Sequence, residues 1–234
     1  MHANGHGTAT ALQTKEAQYQ FELDMALRDG LSRFGIMSNQ TWKDDPRRLL
    51  FLLSRYKFVA KMLDGRSHVL EVGCGDGFGS RVVRQAVGGL TAIDTDPQFI
   101  ETARETMNEK WPVEFRVHDV LAEPVSGRFD AIYSLDVLEH IPADLERIFL
   151  DHMLAPLDAH GVCVVGMPSA QSQVHASPLS VQGHVNCKDG KEYKKVMERH
   201  FENVFLFSMN DEVVHTGYHP MAHYLMAVCA GRHR

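Results

Sequence analysis

The chain has 234 residues, 44% of them hydrophobic and 23% charged, which is long and apolar enough to bury a core and excludes wholesale disorder. Its 24 Lys and Arg against 30 Asp and Glu leave a net charge of −6, which argues against a broad nucleic-acid footprint, since that needs an excess of cations. The four cysteines, Cys74, Cys163, Cys187 and Cys229, form no CxxC pair, so neither a zinc ribbon nor a disulfide scaffold is expected, and reduced thiols in a cytoplasmic protein fit best.

The opening MHANGHGTAT lacks the apolar core of a signal peptide and reads as a flexible lead-in, and no run approaches the roughly 18 apolar residues of a membrane helix. Residues 12–31 read as a helix. A Gly- and Ser-containing stretch at 35–39 separates it from a second helix that starts after Asp45, with Pro46 at its first position. Leu49, Leu50, Leu53, Tyr56, Val59 and Leu63 form its apolar stripe, and Gly65 ends it. From His68 the pattern changes. Short apolar strands at 69–72, 90–93, 113–117, 131–135 and 162–166 alternate with helices at 79–86, 97–109 and 143–154. That alternation predicts βαβ units and a mainly parallel sheet covered on both faces. Residues 169–189 are polar and turn-rich, too long for an ordinary connection, and read as a functional loop. A helix over 191–200 follows, then strands at 204–209 and 222–229 joined without a helix, an antiparallel addition at the sheet edge. The fold class expected is α/β: a doubly wound, mostly parallel seven-stranded sheet with an antiparallel last strand and an N-terminal helical cap.

The sharpest motif is Glu71-Val72-Gly73-Cys74-Gly75-Asp76-Gly77-Phe78-Gly79, which follows a strand and opens a helix. Glycines let the backbone turn tightly and approach a ligand closely. The dinucleotide fingerprint G-x-G-x-x-G would place its third glycine where Phe78 stands, which counts against an NAD site. Asp94, at the end of the second strand, is placed to accept both hydroxyls of a ribose. Asp119, at the end of the third, is placed to accept a hydrogen bond from an adenine amine. The fourth strand runs through Phe129-Asp130-Ala131-Ile132-Tyr133-Ser134-Leu135-Asp136-Val137-Leu138-Glu139-His140.

Over residues 68–168 these motifs together resemble the class I S-adenosylmethionine-dependent methyltransferase family. The resemblance implies a methyltransferase-like Rossmann domain over 65–234, preceded by a lead and helical cap over 1–64. It implies S-adenosyl-L-methionine as cofactor, with Glu71, Gly73, Cys74 and Gly75 along its amino-acid part. Asp94 falls at the ribose with Thr95 beside the adenine, and Asp119 at the adenine amine with Val120 next to it. Leu135 and Asp136 face the methionine end.

Methyl transfer requires in-line alignment of a nucleophile, exclusion of water and, where needed, removal of a proton. Histidine has the pKa for that last task. His184 in the 169–189 loop, His215 between the late strands and His140 after the fourth strand are the candidates. His175, His219 and His223 stand further back. Gly217 and Pro220 break any helix through His215, His219 and His223, and no zinc spacing is evident, so no metal is expected, with a site built from these His or from His184 and Cys187 as the minority alternative. Arg55 is a candidate partner for the cofactor carboxylate, with Trp42 and Tyr56 beside it as pocket residues. Asp96 reads as a helix cap before Pro97, and Glu139 as a residue that holds the start of the next segment. The expected acceptor is an oxygen or nitrogen atom of a small molecule or sugar, with neither nucleic acid nor membrane as partner and a homodimer allowed. Two alternatives are an NAD-dependent oxidoreductase or epimerase on the same sheet, and a non-catalytic S-adenosylmethionine-binding module that keeps the fold.

Overall fold

The strands form where short Val-, Ile- and Leu-rich runs alternate with amphipathic helices. In the computed structural model, which describes residues 12–233, eight strands make one sheet. The decapeptide read as a lead-in lies outside the described residues. The strands are β1 (Val69–Val72), β2 (Leu90–Asp94), β3 (Glu114–Val117), β4 (Phe129–Leu135), β5 (Leu157–Pro168), β6 (Phe201–Asn210), β7 (Val213–His215) and β8 (Tyr224–Arg232), in the order β3-β2-β1-β4-β5-β8-β6-β7. The β1–β2, β1–β4, β2–β3 and β4–β5 pairs are parallel. β8 runs antiparallel to both β5 and β6, and β7 antiparallel to β6. The α/β, doubly wound arrangement with an antiparallel last strand is therefore present, with two corrections. An eighth strand, β7, occupies part of the expected 210–220 connection, reached through a turn in which Asp211 takes a left-handed φ of 49°. And β8 inserts between β5 and β6 rather than adding at the edge.

The helices are α1 (Gln20–Asp29), α2 (Ile36–Asp44), α3 (Arg47–Met62), α4 (Ser80–Arg84), α5 (Pro97–Glu105), α6 (Glu146–Leu154), α7 (Pro178–Gly183) and α8 (Gly190–Glu198). Successive strand side chains point to opposite faces. Ile132 and Val165 therefore join Leu150 and Met153 of α6 and Tyr193 of α8 on one face, while Tyr133 and Val164 join Val59 of α3, Leu63 just past its end and Ile100 of α5 on the other. Asp96 caps α5 by accepting the Gln98 N–H at 2.8 Å, with Pro97 in the first turn. The polar 169–189 stretch is not a plain loop: it holds a 3-10 turn at Ala170–His175 and then α7, opened by Ser177 accepting the Ser180 N–H.

α2 was not expected, because its cap is remote in sequence. Asp76, in the glycine loop, accepts from the Ser38 N–H at 2.7 Å and the Ser38 hydroxyl at 2.8 Å. The chain divides into two compact units between Arg33 and Phe34, so α2 and α3 belong with the sheet, whose first strand begins at Val69. In the first unit, α1 follows a 3-10 turn at Ala17–Tyr19.

Candidate functional site

The β1–α4 turn is held in a shape that side chains would obstruct. Gly73 and Gly75 have φ of +81° and +52°; a Cβ on Gly73 would run into the Val137 side chain, and one on Gly75 would come within 2.7 Å of Met37 Sδ. The N–H groups of Gly73 and Cys74 both donate to the Ile93 carbonyl, at 2.8 and 3.0 Å, which pins the turn to β2. Asp94 ends β2 half-buried. One carboxylate oxygen accepts the Gly75 N–H at 2.8 Å, the other the Asp96 N–H at 3.0 Å, and each oxygen keeps a lone pair for a further donor. Glu71 lies beneath the turn. Its side chain is 1% exposed and accepts from the Tyr56 hydroxyl at 2.8 Å, and burial pushes its carboxyl up to about 7.

A cavity of about 380 Å³ opens where the strand order reverses between β1 and β4, the usual ligand crevice of open α/β sheets. Gly73, Cys74 and Gly75 form one wall, Met37, Phe51 and Arg55 of α2 and α3 another, and Leu135, Asp136, Glu139, His140 and His184 the third. Asp136 turns the chain out of β4 with a left-handed φ of 57°, unusual for a residue with a side chain. Arg55 Nη1 donates to both of its carboxylate oxygens at 2.7 Å, and the guanidinium lies 3.8 Å from the centre of the Tyr224 ring. Arg55 thus lines the cavity already paired, and Tyr56 lines it beside the turn. Trp42 is half-exposed, stacks on Phe34 and lies off the cavity wall.

Among the sequence-predicted residues, Gly73, Cys74, Gly75, Leu135, His140 and His184 meet at this cavity. Glu71 does not reach it, because strand alternation turns its side chain to α3. Asp94 and the exposed Thr95 lie across the glycine turn from it, at the end of β2. Asp119 is exposed after β3 and caps a turn through the Leu121 N–H at 2.9 Å, while Val120 is buried in the core at 4% exposure. His215 sits on β7 at the sheet margin, its Nε2 2.9 Å from Asn210 Oδ1 and its Nδ1 accepting the Gly217 N–H. β8 and β6 separate that margin from β5, so the connection bearing His215 is displaced from the cavity.

The chain after α7 is fastened beside the 3-10 turn Leu138–His140. The Val185 and Asn186 N–H groups both donate to the Glu139 carbonyl, at 2.8 and 3.0 Å. Lys188 Nζ pairs with Glu146 Oε2 at 2.8 Å, and Asn186 Nδ2 donates to the same oxygen at 2.9 Å. This clamp brings the His184 and His140 rings to 5.1 Å between centroids. Burial, then the neighbouring His140, hold the His184 pKa below the ordinary imidazole value. The Glu139 backbone thus holds the chain after α7 rather than the start of the segment that follows it in sequence. Its side chain was overlooked: it is 1% exposed, and both carboxylate oxygens are buried without a hydrogen-bond partner. Burial, then the charge of Asp136, push its pKa well above the carboxylate range. The Asp136-x-x-Glu139-His140 spacing was the available signal.

A turn bare of Cβ at Gly73 and Gly75, a strand-end carboxylate with spare lone pairs and a cavity within the usual ligand-site range of roughly 300–1,000 Å³ suit a nucleoside-bearing amino-acid cofactor such as S-adenosylmethionine.

A family model described as a methyltransferase domain matches residues 69–161. Ubiquinone biosynthesis O-methyltransferase from Xanthomonas oryzae pv. oryzae is 34% identical over 119 residues, 48% of this chain and 50% of that protein. Its counterpart from Xanthomonas campestris pv. campestris is 35% identical over 126 residues, 50% and 52%. The chain therefore spans about half the length of the curated relatives it matches. Among solved structures, the N-methyltransferase NodS from Bradyrhizobium japonicum WM9 with S-adenosyl-L-homocysteine has a TM-score of 0.60 at 18% identity, covering 81% of this chain and 90% of that one. The plantazolicin methyltransferase BpumL with S-adenosylhomocysteine has 0.59 at 15%, covering 82% and 93%. Over residues 69–161 the chain thus matches a methyltransferase domain, and its fold is the Rossmann-like one of those methyltransferase structures. Among the described residues, no helix is long and apolar enough to cross a membrane.

Proposed function

We propose that the protein transfers a methyl group from S-adenosylmethionine to an oxygen of a small molecule. A nitrogen or sugar acceptor is the second form of the same reading. The observation that carries it is one cavity whose wall on one side is the glycine turn and on the other the Asp136–Glu139–His140–His184 face. The names of the sequence relatives, O-methyltransferases of ubiquinone biosynthesis, favour oxygen.

When bound, the cofactor supplies an electrophilic methyl on a positively charged sulfur. The residues of the chain do the rest. The bare Cα atoms of Gly73 and Gly75 allow close approach, and Asp94 accepts from ribose hydroxyls. Asp119, Thr95 and Val120 border the adenine end. Arg55, held by Asp136, keeps a cationic group at the cavity wall, and α2 and α3 limit water entry. His184 and His140 present ring nitrogens to the acceptor side, where a hydroxyl proton must leave. His215, away from the cavity, has no part in this reading. We place the enzyme in the cytoplasm, on the strength of four cysteines without paired spacing.

Incubating the full chain with S-adenosylmethionine and a panel of phenols, alcohols, amines and sugars, with S-adenosylhomocysteine as readout, tests this. Acceptor-dependent S-adenosylhomocysteine from a hydroxyl compound supports it. Tight cofactor binding with no turnover across the panel would favour the non-catalytic binding module instead.

A further inference from the structure

We propose that the open outer edge of β6 takes up, as an added strand of the sheet, an extended segment of a partner protein in which acidic residues alternate with apolar ones. The edge lies two strands beyond β5, and the proposal does not depend on the methyltransferase reading.

β6 is ten residues long, yet β7 pairs with Ser208, Met209 and Asn210 alone. β8 occupies its inner edge from Phe201 to Met209. On the outer side, residues 202–207 meet no strand among the described residues. Along such an edge every second N–H and C=O points away from the sheet. Open edges are ordinarily blunted by short length, by lysine or proline, or by a covering element. The opposite margin of this sheet follows that rule: β3 has four residues and carries the Glu114–Arg116 ion pair at 2.7 Å. β6 does not. Between Glu202 and Phe207 there is no proline, glycine or lysine, and Phe205 is 58% exposed.

A groove of about 430 Å³ runs along this edge. One wall is β6 from Val204 to Ser208, and the other is Gly190, Lys191 and Lys194 of α8, with His219 beside them. Lys191 and Lys194 stand three apart on one exposed helix face. No Asp or Glu lines the groove, although the chain as a whole carries −6. The acids nearby are already engaged or distant. Asp189 caps α8 by accepting the Lys191 and Glu192 N–H groups at 2.8 and 2.9 Å. Glu198 lies 3.8 Å from Lys194 Nζ, both half-exposed, which makes a weak pair.

The two faces of the edge differ. Val204 and Leu206 pack with Tyr193 of α8, so Phe205 projects from the opposite face. A strand laid along β6 alternates its own side chains in the same way. One set falls beside Lys191 and Lys194, where carboxylates meet ammonium groups. The other falls beside Phe205, where apolar groups cover it. Main-chain bonds to the edge supply affinity, and the alternating side chains supply specificity. A second copy of this chain fits less well. Pairing β6 with β6 about a two-fold axis sets the α8 lysines of both copies on one face of the joined sheet, and Glu202 is the one acid between Phe201 and Phe207 to meet them.

The test uses the full chain and a fluorescein-labelled ten-residue peptide, the length of β6, in which glutamate alternates with valine or threonine. Anisotropy is expected to saturate at one peptide per chain, and hydrogen exchange to slow in residues 202–207. Joint Lys191→Glu and Lys194→Glu substitution should weaken binding about tenfold with circular dichroism unchanged. A peptide with lysine in place of glutamate should lose as much on wild type. N-methylation of alternate peptide nitrogens should abolish binding in one phase and spare it in the other, because a single peptide edge meets β6. No saturation up to about 1 mM overturns the proposal, as does equal affinity for the lysine peptide, or exchange protection that appears elsewhere. Sedimentation velocity on the protein alone examines the other occupant: a dimer that the peptide dissociates would assign the edge to a second copy and overturn the proposal.

Discussion

Asp94 and Glu71 are both acids beside the glycine turn, and the structure gives them different surroundings. Asp94 stands at a strand end with its oxygens reachable, so on the proposed reading Asp94→Ala removes a charged acceptor from two ribose hydroxyls. Hydrogen bonds to charged groups contribute roughly 1.5–3 kcal/mol, so S-adenosylmethionine affinity should fall about 10- to 100-fold by calorimetry, with the fold intact. Glu71 is a buried support under the glycine turn. Its carboxyl is raised from 4.5 to about 7, mainly by burial. The folded state therefore holds a proton that the unfolded state has lost, and stability falls as pH rises from about 4.5 through about 7, then levels off. Glu71→Gln should remove that slope. Measured by urea unfolding at pH 5 and pH 8, the variant should gain on wild type by on the order of 3 kcal/mol between the two. Equal pH profiles would show that Glu71 is already charged when folded. The sequence placed Glu71 correctly in the motif but not its depth, because depth depends on Tyr56 of α3 lying over it.

At the scale of elements, two contacts between distant segments build the cavity. Asp76 caps α2 from the glycine turn. Asp76→Ala should cost about 1–2 kcal/mol in urea unfolding, the size of a lost helix cap, and should loosen the α2 wall. The Lys188–Glu146 pair, at 13% and 10% side-chain exposure, fastens the segment that follows α7. Lys188→Ala would strand a buried carboxylate. Removing one member of a buried pair costs roughly 3–5 kcal/mol, so a loss near the lower figure is expected from chemical denaturation, with Asn186 still on Glu146. A change below about half a kcal/mol would mean the pair is solvated and the segment held otherwise. Neither contact has a local signature. Ser38 and Asp76 are 38 positions apart, and nothing in a 3.6- or 2-residue period brings them together.

For the whole molecule, the glycine turn, the end of β2 and the α2–α3 wall belong to one compact unit, so ligand binding should stabilise that unit as a block. At a hundredfold excess over the dissociation constant, a ligand bound only by the folded state adds about 2.7 kcal/mol. At about 2–4 °C per kcal/mol for a chain of this size, S-adenosylmethionine should raise the melting temperature by roughly 5–10 °C in a scanning fluorescence assay, with NAD giving no comparable shift. An equal shift with NAD would return the dinucleotide reading.

The alternation of strands and helices from His68 onward, the Glu71–Gly75 turn and the strand-end acids were legible in the sequence, because each is a local property. Apolar periodicity sets the element type, and glycine is what a left-handed turn demands. Only the tertiary structure decided that β8 slips between β5 and β6, which carries His215 away from the cavity. It alone pairs Arg55 with Asp136 across 81 positions, and it alone lays His184 against His140 over an unpartnered Glu139. Those outcomes turn on which distant surfaces exclude water together, a choice made by the packing of the sheet and its helices, which no short window of sequence contains.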